Sequence, residues 1–194
     1  KKKNFKNGFD KKKFENFKKK KINSQSIHLT HSCSSALEIA TRLIDLKKDD
    51  EVIIPSYTFT STANCVIMSG AKPVFVDVKS NDLNIDPKEI EKKINKKTKA
   101  IIIVHYAGIA CDMSEILRIK KKYNLFIIED AAHAFTGKYK NSYLGTIGDF
   151  GAFSFHETKN LIAGQGGALS INDKKFVKNA KLILDKGTDR SIIN

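Results

Sequence analysis

Lys159 has surroundings that differ from those of the other lysines in the sequence. It follows a strand-like apolar run at residues 150–155 and precedes the glycine-rich residues 163–167, so the backbone must turn tightly around it. An amine beside a buried strand end loses its proton more readily than a surface amine, and the neutral amine can condense with a carbonyl. Lys159 is therefore a candidate for Schiff-base chemistry. The alternative is an exposed lysine where a strand leaves the sheet.

Asp130 is the second candidate, because it follows the apolar residues 125–128 at the predicted carboxyl end of a buried strand. Ligands bind at this edge of open α/β sheets. The carboxylate by itself is also compatible with a magnesium ion or with a helix cap. No glycine-rich loop ending in Gly-Lys-Ser/Thr occurs in the sequence, which argues against a magnesium-nucleotide site.

Several further side chains have types that suit a ligand. Ser34 and Ser35 lie where a helix is predicted to begin, and helix N-termini bind phosphate, although an ordinary serine cap gives the same pattern. Phe59 follows a predicted strand, where its ring can stack on a planar heteroaromatic ligand or pack in the core. His133 lies three residues after Asp130, although a single histidine is more often structural than catalytic. We interpret His105 and His156 as structural residues.

Six segments occur in the order found in the pyridoxal-phosphate-dependent aminotransferases that act on nucleotide-linked keto sugars. The chain resembles this family from about residue 29 to its end, and the ordered set is far more specific than any one segment. The segments are Leu-Thr-His-Ser-Cys at 29–33, Pro-Ser-Tyr-Thr-Phe at 55–59, Val-His-Tyr-Ala-Gly at 104–108, Glu-Asp-Ala-Ala-His at 129–133, Ser-Phe-His-Glu-Thr-Lys-Asn at 154–160 followed by Gly-Gln-Gly-Gly at 164–167, and Lys-Gly-Thr-Asp-Arg-Ser at 186–191.

The resemblance implies a role for each candidate residue. Lys159 would carry pyridoxal 5'-phosphate as a Schiff base and transfer protons, Asp130 would pair with the pyridine nitrogen, and His133 would reach the ring hydroxyl. Phe59 would cover one face of the ring. The phosphate contacts of the family fall on Ser34, Ser35 and Ser154. One departure is Gln165, which stands where close relatives more often have glutamate.

The resemblance also implies a reaction and partners. An amino acid, by family habit L-glutamate, would donate its amino group to the C4 ketone of a dTDP-linked 4-keto-6-deoxy sugar, for surface polysaccharide biosynthesis. The expected assembly is a cytoplasmic homodimer with a shared active site. Some relatives are dehydratases in which histidine replaces the cofactor lysine, and Lys159 argues against that activity.

The elements that must position these residues follow from hydrophobic periodicity. Apolar strand-like runs alternate with helix-like segments, as in parallel α/β sheets. The predicted strands cover residues 27–30, 51–55, 73–78, 99–105, 125–130, 150–155 and 167–172, and the predicted helices cover 32–44, 59–69, 86–95, 113–123 and 173–186. The resemblance implies a three-layer α/β/α fold with a mostly parallel sheet, the large domain of the aspartate-aminotransferase type. We expect a basic helical segment at 1–26, a cofactor-binding domain at 27–194, and a small C-terminal domain outside this sequence.

Charge is concentrated at the start of the chain. The formal net charge is +14, of which residues 1–21 contribute +9 through eleven lysines against Asp10 and Glu15. Aromatic residues recur among these lysines over residues 5–22, so a basic amphipathic helix on an anionic surface is an alternative to packing on the protein itself. Only three of the 35 basic residues are arginines, whereas base recognition favours arginine. A nucleic-acid or surface-binding module is therefore the less favoured function.

The three cysteines, Cys33, Cys65 and Cys111, are widely separated. This spacing argues against a zinc site and against a disulfide-stabilised scaffold, and it fits a reducing cytoplasm. No apolar run approaches the roughly 20 residues that a membrane span requires. We therefore predict neither a metal site nor a membrane partner.

Overall fold

A computed structural model describes residues 24–184 and 187–188 of the 194-residue chain. The basic segment predicted at residues 1–26 falls almost entirely outside these residues, as does most of the 186–191 motif. The described strands are Ser26–Thr30 (β1), Glu51–Pro55 (β2), Lys72–Val76 (β3), Thr98–Val104 (β4), Phe126–Asp130 (β5), Lys138–Tyr139 (β6), Ser142–Tyr143 (β7), Phe150–Ser154 (β8) and Gly167–Ile171 (β9). The described α-helices are Cys33–Leu43 (α1), Thr60–Met68 (α2), Pro87–Lys93 (α3), Met113–Tyr123 (α4) and Val177–Leu184 (α5), with short 3₁₀ turns at Tyr106–Gly108 and Lys174–Phe176.

Seven strands form one sheet in the order β1-β9-β8-β5-β4-β2-β3, and β6 and β7 form a separate hairpin. All neighbouring strands from β8 through β3 run parallel, whereas β9 is antiparallel to both β8 and β1. Six strands therefore share one direction, which confirms the predicted mostly parallel sheet. Their carboxyl ends meet at one edge, together with the amino end of β9.

Helices cover both faces of the sheet, because its central strands are apolar on both sides. In β4, Ala100 and Ile102 belong to a core with α1, α2 and α5, whereas Ile101 and Ile103 belong to a second core with α3 and α4. Successive residues of a strand point to opposite faces, so an uninterrupted isoleucine run needs a helical layer on each side. The predicted three-layer α/β/α fold is confirmed.

Helix α4 shows how local sequence sets the element boundaries. Asp112 caps its first turn, where the carboxylate Oδ1 accepts a hydrogen bond from Glu115 N at 3.3 Å. The helix ends at Asn124, whose φ of 54° is left-handed, a conformation that asparagine tolerates well. Its predicted bounds of 113–123 match the structure.

Other elements differ from the prediction in detail. Helix α3 ends at Lys93 instead of residue 95, and the last predicted helix opens with the 3₁₀ turn Lys174–Phe176. The β6–β7 hairpin was not predicted, since two strands of two residues each are too short to show alternation. Within the described residues, no helix is long and apolar enough to cross a membrane.

Candidate active site

A cavity of about 400 Å³ lies at the sheet edge where the parallel strands end. Val104, Asp130 and Ser154 reach it from the last positions of β4, β5 and β8. Convergence of strand ends at this edge places residues that are distant in sequence around one space. Of the predicted site residues, those that line the cavity are Ser34, Phe59, Asp130, His133, Ser154 and Lys159.

Lys159 lies on the turn that follows β8. Its backbone N–H donates to the carbonyl of His156 at 2.9 Å, which closes the turn, and its Nζ lies 2.8 Å from Nε2 of His133. Ala163 N donates to the carbonyl of Phe155 at 2.9 Å, so the glycine-rich exit folds back on the strand end. The amine is thereby directed toward the cavity and away from the surface.

Hydrogen bonds hold the His133 ring on both sides. The N–H of Ala107 donates to Nδ1 of His133 at 3.4 Å, and Nε2 lies 2.8 Å from Nζ of Lys159. Burial and the neighbouring charge of Lys159 both lower the pKa of His133, which favours an uncharged ring. The ring therefore holds the Lys159 amine at the cavity wall, where a ligand can reach it.

The carboxylate of Asp130 is buried, with only 5% of the residue exposed. Oδ1 accepts from Ala132 N at 3.1 Å and contacts the Cys33 thiol at 3.8 Å, and Oδ2 accepts from the Thr62 hydroxyl at 3.1 Å. Burial raises the pKa of Asp130, although the bonds from Ala132 and Thr62 partly oppose it. These donors are uncharged, so a cationic ligand group would add a favourable interaction.

The N-terminus of α1 forms another wall. Ser32 caps the helix, and its Oγ accepts from Ser35 N at 3.1 Å. The Ser34 hydroxyl faces the cavity, 2.6 Å from Oγ of Ser61. Ser35 is not among the lining residues; its hydroxyl lies 3.2 Å from that of Ser32. The hydroxyls and the positive helix end form an environment suited to an anion.

Gly167, the first residue of β9, lets this helix end approach the sheet. A Cβ on Gly167 would lie 2.4 Å from the carbonyl carbon of Ser32 and 2.6 Å from Cys33 N. Such distances exclude any side chain unless the helix moves. The glycine in the Gly-Gln-Gly-Gly segment thus serves close packing between β9 and α1.

Aromatic side chains surround the mouth of the cavity. Phe59, the residue before α2, is 75% exposed and lines the opening. Tyr57 and Tyr106 pack with ring centroids 5.0 Å apart, and Tyr106 meets the His133 ring edge-on at 5.8 Å. The opening therefore combines an apolar rim with the polar groups deeper inside.

His105 and Glu129 form a buried support behind the site, and both residues are 0% exposed. His105 Nε2 lies 2.9 Å from Oε2 of Glu129, and Cys111 N donates to His105 Nδ1 at 3.2 Å. Glu129 also accepts backbone N–H bonds from Gly145, Ile147 and Gly148 at 2.6–2.8 Å. The network anchors the loop after the hairpin beneath the strand that carries Asp130.

Sequence reasoning missed Thr62 and Cys33, which both contact Asp130. Thr62 lies 68 residues and Cys33 97 residues from it in the chain. A threonine in a helix and an isolated cysteine carry no local signal of such a contact. The tight Lys159–His133 pair was not predicted either, although both residues were candidates.

Two curated proteins are similar in sequence to this chain. The chain is 42% identical over 164 residues to the spore coat polysaccharide biosynthesis protein SpsC of Bacillus subtilis, covering 84% of this chain and 42% of that protein. It is 40% identical over 162 residues to the GDP-perosamine synthase of Escherichia coli O157:H7, covering 84% and 44%. The chain thus spans less than half the length of these curated relatives.

A solved structure shares the fold. The putative sugar aminotransferase Spr1654 of Streptococcus pneumoniae, in its PMP form, superposes with a TM-score of 0.82 at 29% identity, over 91% of this chain and 50% of that one. The same protein in its PLP form gives a TM-score of 0.80. The family profile described as "DegT/DnrJ/EryC1/StrS aminotransferase family" matches residues 1–193. With a match over nearly its whole length, the chain belongs to the DegT/DnrJ/EryC1/StrS aminotransferase family.

Proposed function

We propose that the protein containing this chain transfers an amino group from an amino acid to the ketone of a nucleotide-linked sugar, with pyridoxal phosphate as cofactor. One observation carries the proposal: Nζ of Lys159 lies 2.8 Å from His133 Nε2 in the cavity that also holds the buried Asp130 carboxylate. A nucleophilic amine beside an acceptor for a cationic ring nitrogen is the donor set this cofactor requires.

The residues of the site fit the cofactor in three places. Asp130 would hold the protonated ring nitrogen, because its present donors are neutral and its carboxylate is buried. Ser34, at the start of α1, and Ser154, at the end of β8, would hold the phosphate with the helix N-terminus. Lys159 would hold the cofactor carbon covalently. A cavity of about 400 Å³ lies within the usual size range of small-ligand sites.

Pyridoxal phosphate, when bound, supplies an electron sink for the electrons left on the amino-acid carbon after its proton departs. The residues of the chain position the groups and transfer the protons. Asp130 would face the ring nitrogen, where an ionised carboxylate stabilises a positive charge. Lys159 Nζ would move the proton between the two reacting carbons, as a general base and then a general acid. His133 faces the same amine and fixes its direction.

The finer substrate assignment rests on sequence resemblance. The motifs of the chain are similar to those of dTDP-4-amino-4,6-dideoxygalactose transaminase, which suggests a dTDP-linked 4-keto-6-deoxy sugar as acceptor and L-glutamate as donor. A GDP-perosamine synthase is among the similar proteins, so a GDP-linked keto sugar is the competing acceptor. The resemblance to a spore coat polysaccharide biosynthesis protein supports a role in making surface polysaccharide.

A homodimer with a shared active site is also part of the proposal. Phe59, which lines the cavity, is 75% exposed. Apolar side chains at the mouth of a site are costly to leave in water. A second copy of the chain that covers this rim would exclude water from the reacting groups.

The deciding experiment incubates the full-length protein with pyridoxal phosphate, glutamate and either a dTDP-linked or a GDP-linked 4-keto-6-deoxy sugar. Mass spectrometry should detect the amino sugar from one nucleotide series, and omission of glutamate should abolish it. A protein that gains no visible absorbance with the cofactor and forms no amino sugar would instead fit the basic binding module.

A further inference from the structure

Two threonine hydroxyls lead from the cavity rim to the carboxylate of Asp130. Thr62, in the first turn of α2, is fully buried, and its Oγ1 donates to Asp130 Oδ2 at 3.1 Å. Thr58 lines the cavity, and its Oγ1 lies 2.7 Å from that of Thr62. The three groups form a continuous chain of hydrogen bonds.

The donor and the acceptor in each of these hydrogen bonds follow from the number of protons that each group can donate. An ionised carboxylate only accepts, so the single proton of the Thr62 hydroxyl points to Asp130. The Thr62 oxygen must then accept from the Thr58 hydroxyl. Each bond polarises the next, and bonds to an ionised acceptor are about twice as strong as neutral ones. The chain therefore stabilises the charged form of Asp130.

The other carboxylate oxygen is held from a different element. Oδ1 accepts from Ala132 N at 3.1 Å, in the turn directly after β5. Thr62 approaches Oδ2 from helix α2, across the sheet edge. The Cys33 thiol also contacts Oδ1, at 3.8 Å, whereas the hydrogen bond to Oδ2 comes from Thr62. Thr62 therefore fixes the carboxylate plane through the second oxygen. Burial raises the pKa of Asp130 and the Thr62 bond lowers it, so the hydroxyl opposes the main effect of burial.

We propose that Thr62 is a positioning residue that, together with Thr58, orients Asp130 and keeps it ionised for the ring nitrogen of the cofactor. This inference rests on the proposed function, because it assigns that nitrogen to Asp130. Thr62 itself acts through Asp130 and needs no contact with substrate. Any effect of Thr62 on catalysis must therefore be accompanied by a change at Asp130.

The test compares Thr62→Val, which keeps the shape and removes the hydroxyl, with Thr62→Ser, which retains it. Thr41→Val is the matched control: Thr41 is also buried, and its hydroxyl bonds only backbone carbonyls of Glu38 and Cys65 in the described structure. In the cofactor-free full-length protein, the carboxyl ¹³C resonance of Asp130 is followed by NMR as a function of pH. We expect Thr62→Val to raise the Asp130 pKa, and Thr62→Ser and Thr41→Val to leave it near the wild-type value.

Cofactor affinity gives a second readout. Loss of a hydrogen bond to a charged group corresponds to roughly a tenfold or greater change in an equilibrium constant, so Thr62→Val should weaken pyridoxal phosphate binding by about tenfold. The glutamate half-reaction should lose rate with little change in KM. If Thr62→Val does not fold, Thr58→Val serves instead, with a smaller shift in the same directions.

The outcomes separate this inference from the proposed function. The positioning role is wrong if Thr62→Val has the same Asp130 pKa and the same cofactor affinity as the Thr41→Val control. The same criterion applies to Thr58→Val if it replaces Thr62→Val. Asp130→Asn measured in parallel addresses the function itself. If Asp130→Asn loses turnover while the threonine variant equals the control, only the positioning role is wrong; if Asp130→Asn also keeps full turnover, the assignment of Asp130 is wrong.

Discussion

At the scale of single residues, Lys159 differs in its partner from the lysines that form ion pairs in the described structure. Many described lysines pair with surface carboxylates, such as Lys47 with Asp45 and Lys92 with Glu89, and such pairs contribute little. The Lys159 amine instead meets the His133 ring at 2.8 Å. This contact orients the amine within the cavity, where no carboxylate pairs with it among the described residues.

We predict that borohydride reduction of the cofactor-loaded protein leaves a pyridoxyl group on Lys159. Peptide mapping by mass spectrometry locates the label, and Lys159→Arg should abolish both label and turnover. Lys138→Arg is the control, since Lys138 lies over the Tyr143 ring in the hairpin, and it should keep both. A label on another lysine with none on Lys159 would contradict the assignment.

We expect Asp130→Asn to reduce turnover by roughly a hundredfold or more, the scale found when one preorganised electrostatic group is removed from a site. The amide keeps the volume and removes the charge that supports the ring nitrogen. Unfolding by urea should change much less than activity, because the amide oxygen can keep the bond from Ala132 N and the Thr62 hydroxyl can rotate to accept from the amide NH₂.

Asp149→Asn is the contrasting variant. Asp149 pairs with Lys120 at 2.6 Å and accepts from Ile127 N at 2.8 Å, so its loss should lower the free energy of unfolding while a folded fraction keeps its turnover. Full turnover in Asp130→Asn would remove Asp130 from the site.

At the scale of elements, the site depends on how closely α1 lies against β9. The Gly167 backbone touches that of Ser32 and Cys33, and the same helix end presents Ser34 to the cavity. The packing of a strand against a helix thereby sets the position of the proposed phosphate group. A substitution at this contact should therefore change ligand affinity even though it alters no side chain that touches the ligand.

We predict that Gly167→Ala weakens pyridoxal phosphate binding by at least about tenfold, because the new Cβ would lie 2.4 Å from the Ser32 carbonyl carbon and α1 must move. Gly70→Ala is the control. Gly70 has a left-handed φ of 86° with no neighbour within 4 Å, so alanine there costs about 1 kcal/mol of stability without moving the site. Fluorescence titration with the cofactor measures the affinity of each variant. Equal affinities in the two variants would show that the close packing at Gly167 is not needed for cofactor binding.

Glu129 stabilises the fold by holding a loop against a strand. It binds the 145–148 loop through three backbone N–H groups and pairs with His105. Glu129→Gln replaces one acceptor by an NH₂ group that faces buried donors, and we expect a loss of roughly 3 kcal/mol in the free energy of unfolding. Urea denaturation should show it, whereas the half-buried surface residue Glu91, changed to Gln, should lose less than about 1 kcal/mol.

At the scale of the whole molecule, the chain spans less than half the length of its curated relatives. The described residues bring together a lysine, a carboxylate and a helix N-terminus, yet Phe59 at the rim is largely exposed. Rate acceleration requires that water be excluded and the substrate held in attack geometry. The groups present here are therefore expected to need further protein around them.

We predict that these 194 residues alone bind the cofactor poorly and show no transamination. The full-length protein should form a dimer by size-exclusion chromatography and complete the glutamate half-reaction, followed by absorbance. The isolated chain should fail in the half-reaction and should self-associate through its apolar rim. Full half-reaction activity from a monomeric 194-residue chain would show that the site is not shared.

The secondary-structure elements and the segment around Lys159 could be predicted without a structure. Alternation of apolar strands with amphipathic helices is a local pattern, so the bounds of β2 and α4 and a parallel α/β sheet could be predicted from it. The three-layer arrangement was implied by the family resemblance. The segment at residues 154–167 is contiguous, so its strand end, lysine and glycines are visible without a structure. The resemblance added roles for Asp130, Phe59, His133 and the three serines, and those roles remain predictions.

Contacts between residues that are distant in the chain could not be predicted, because they depend on the assembled fold. The antiparallel direction of β9, the contact of Thr62 with Asp130 over 68 residues, and the contact of Lys159 with His133 over 26 residues depend on strand order and register. The approach of Gly167 to Ser32 depends on the same arrangement. Hydrophobic periodicity fixes which face of an element is buried, but the partner of that face is set by packing between distant segments. The groups that tune the proposed site therefore became identifiable only after the sheet was assembled.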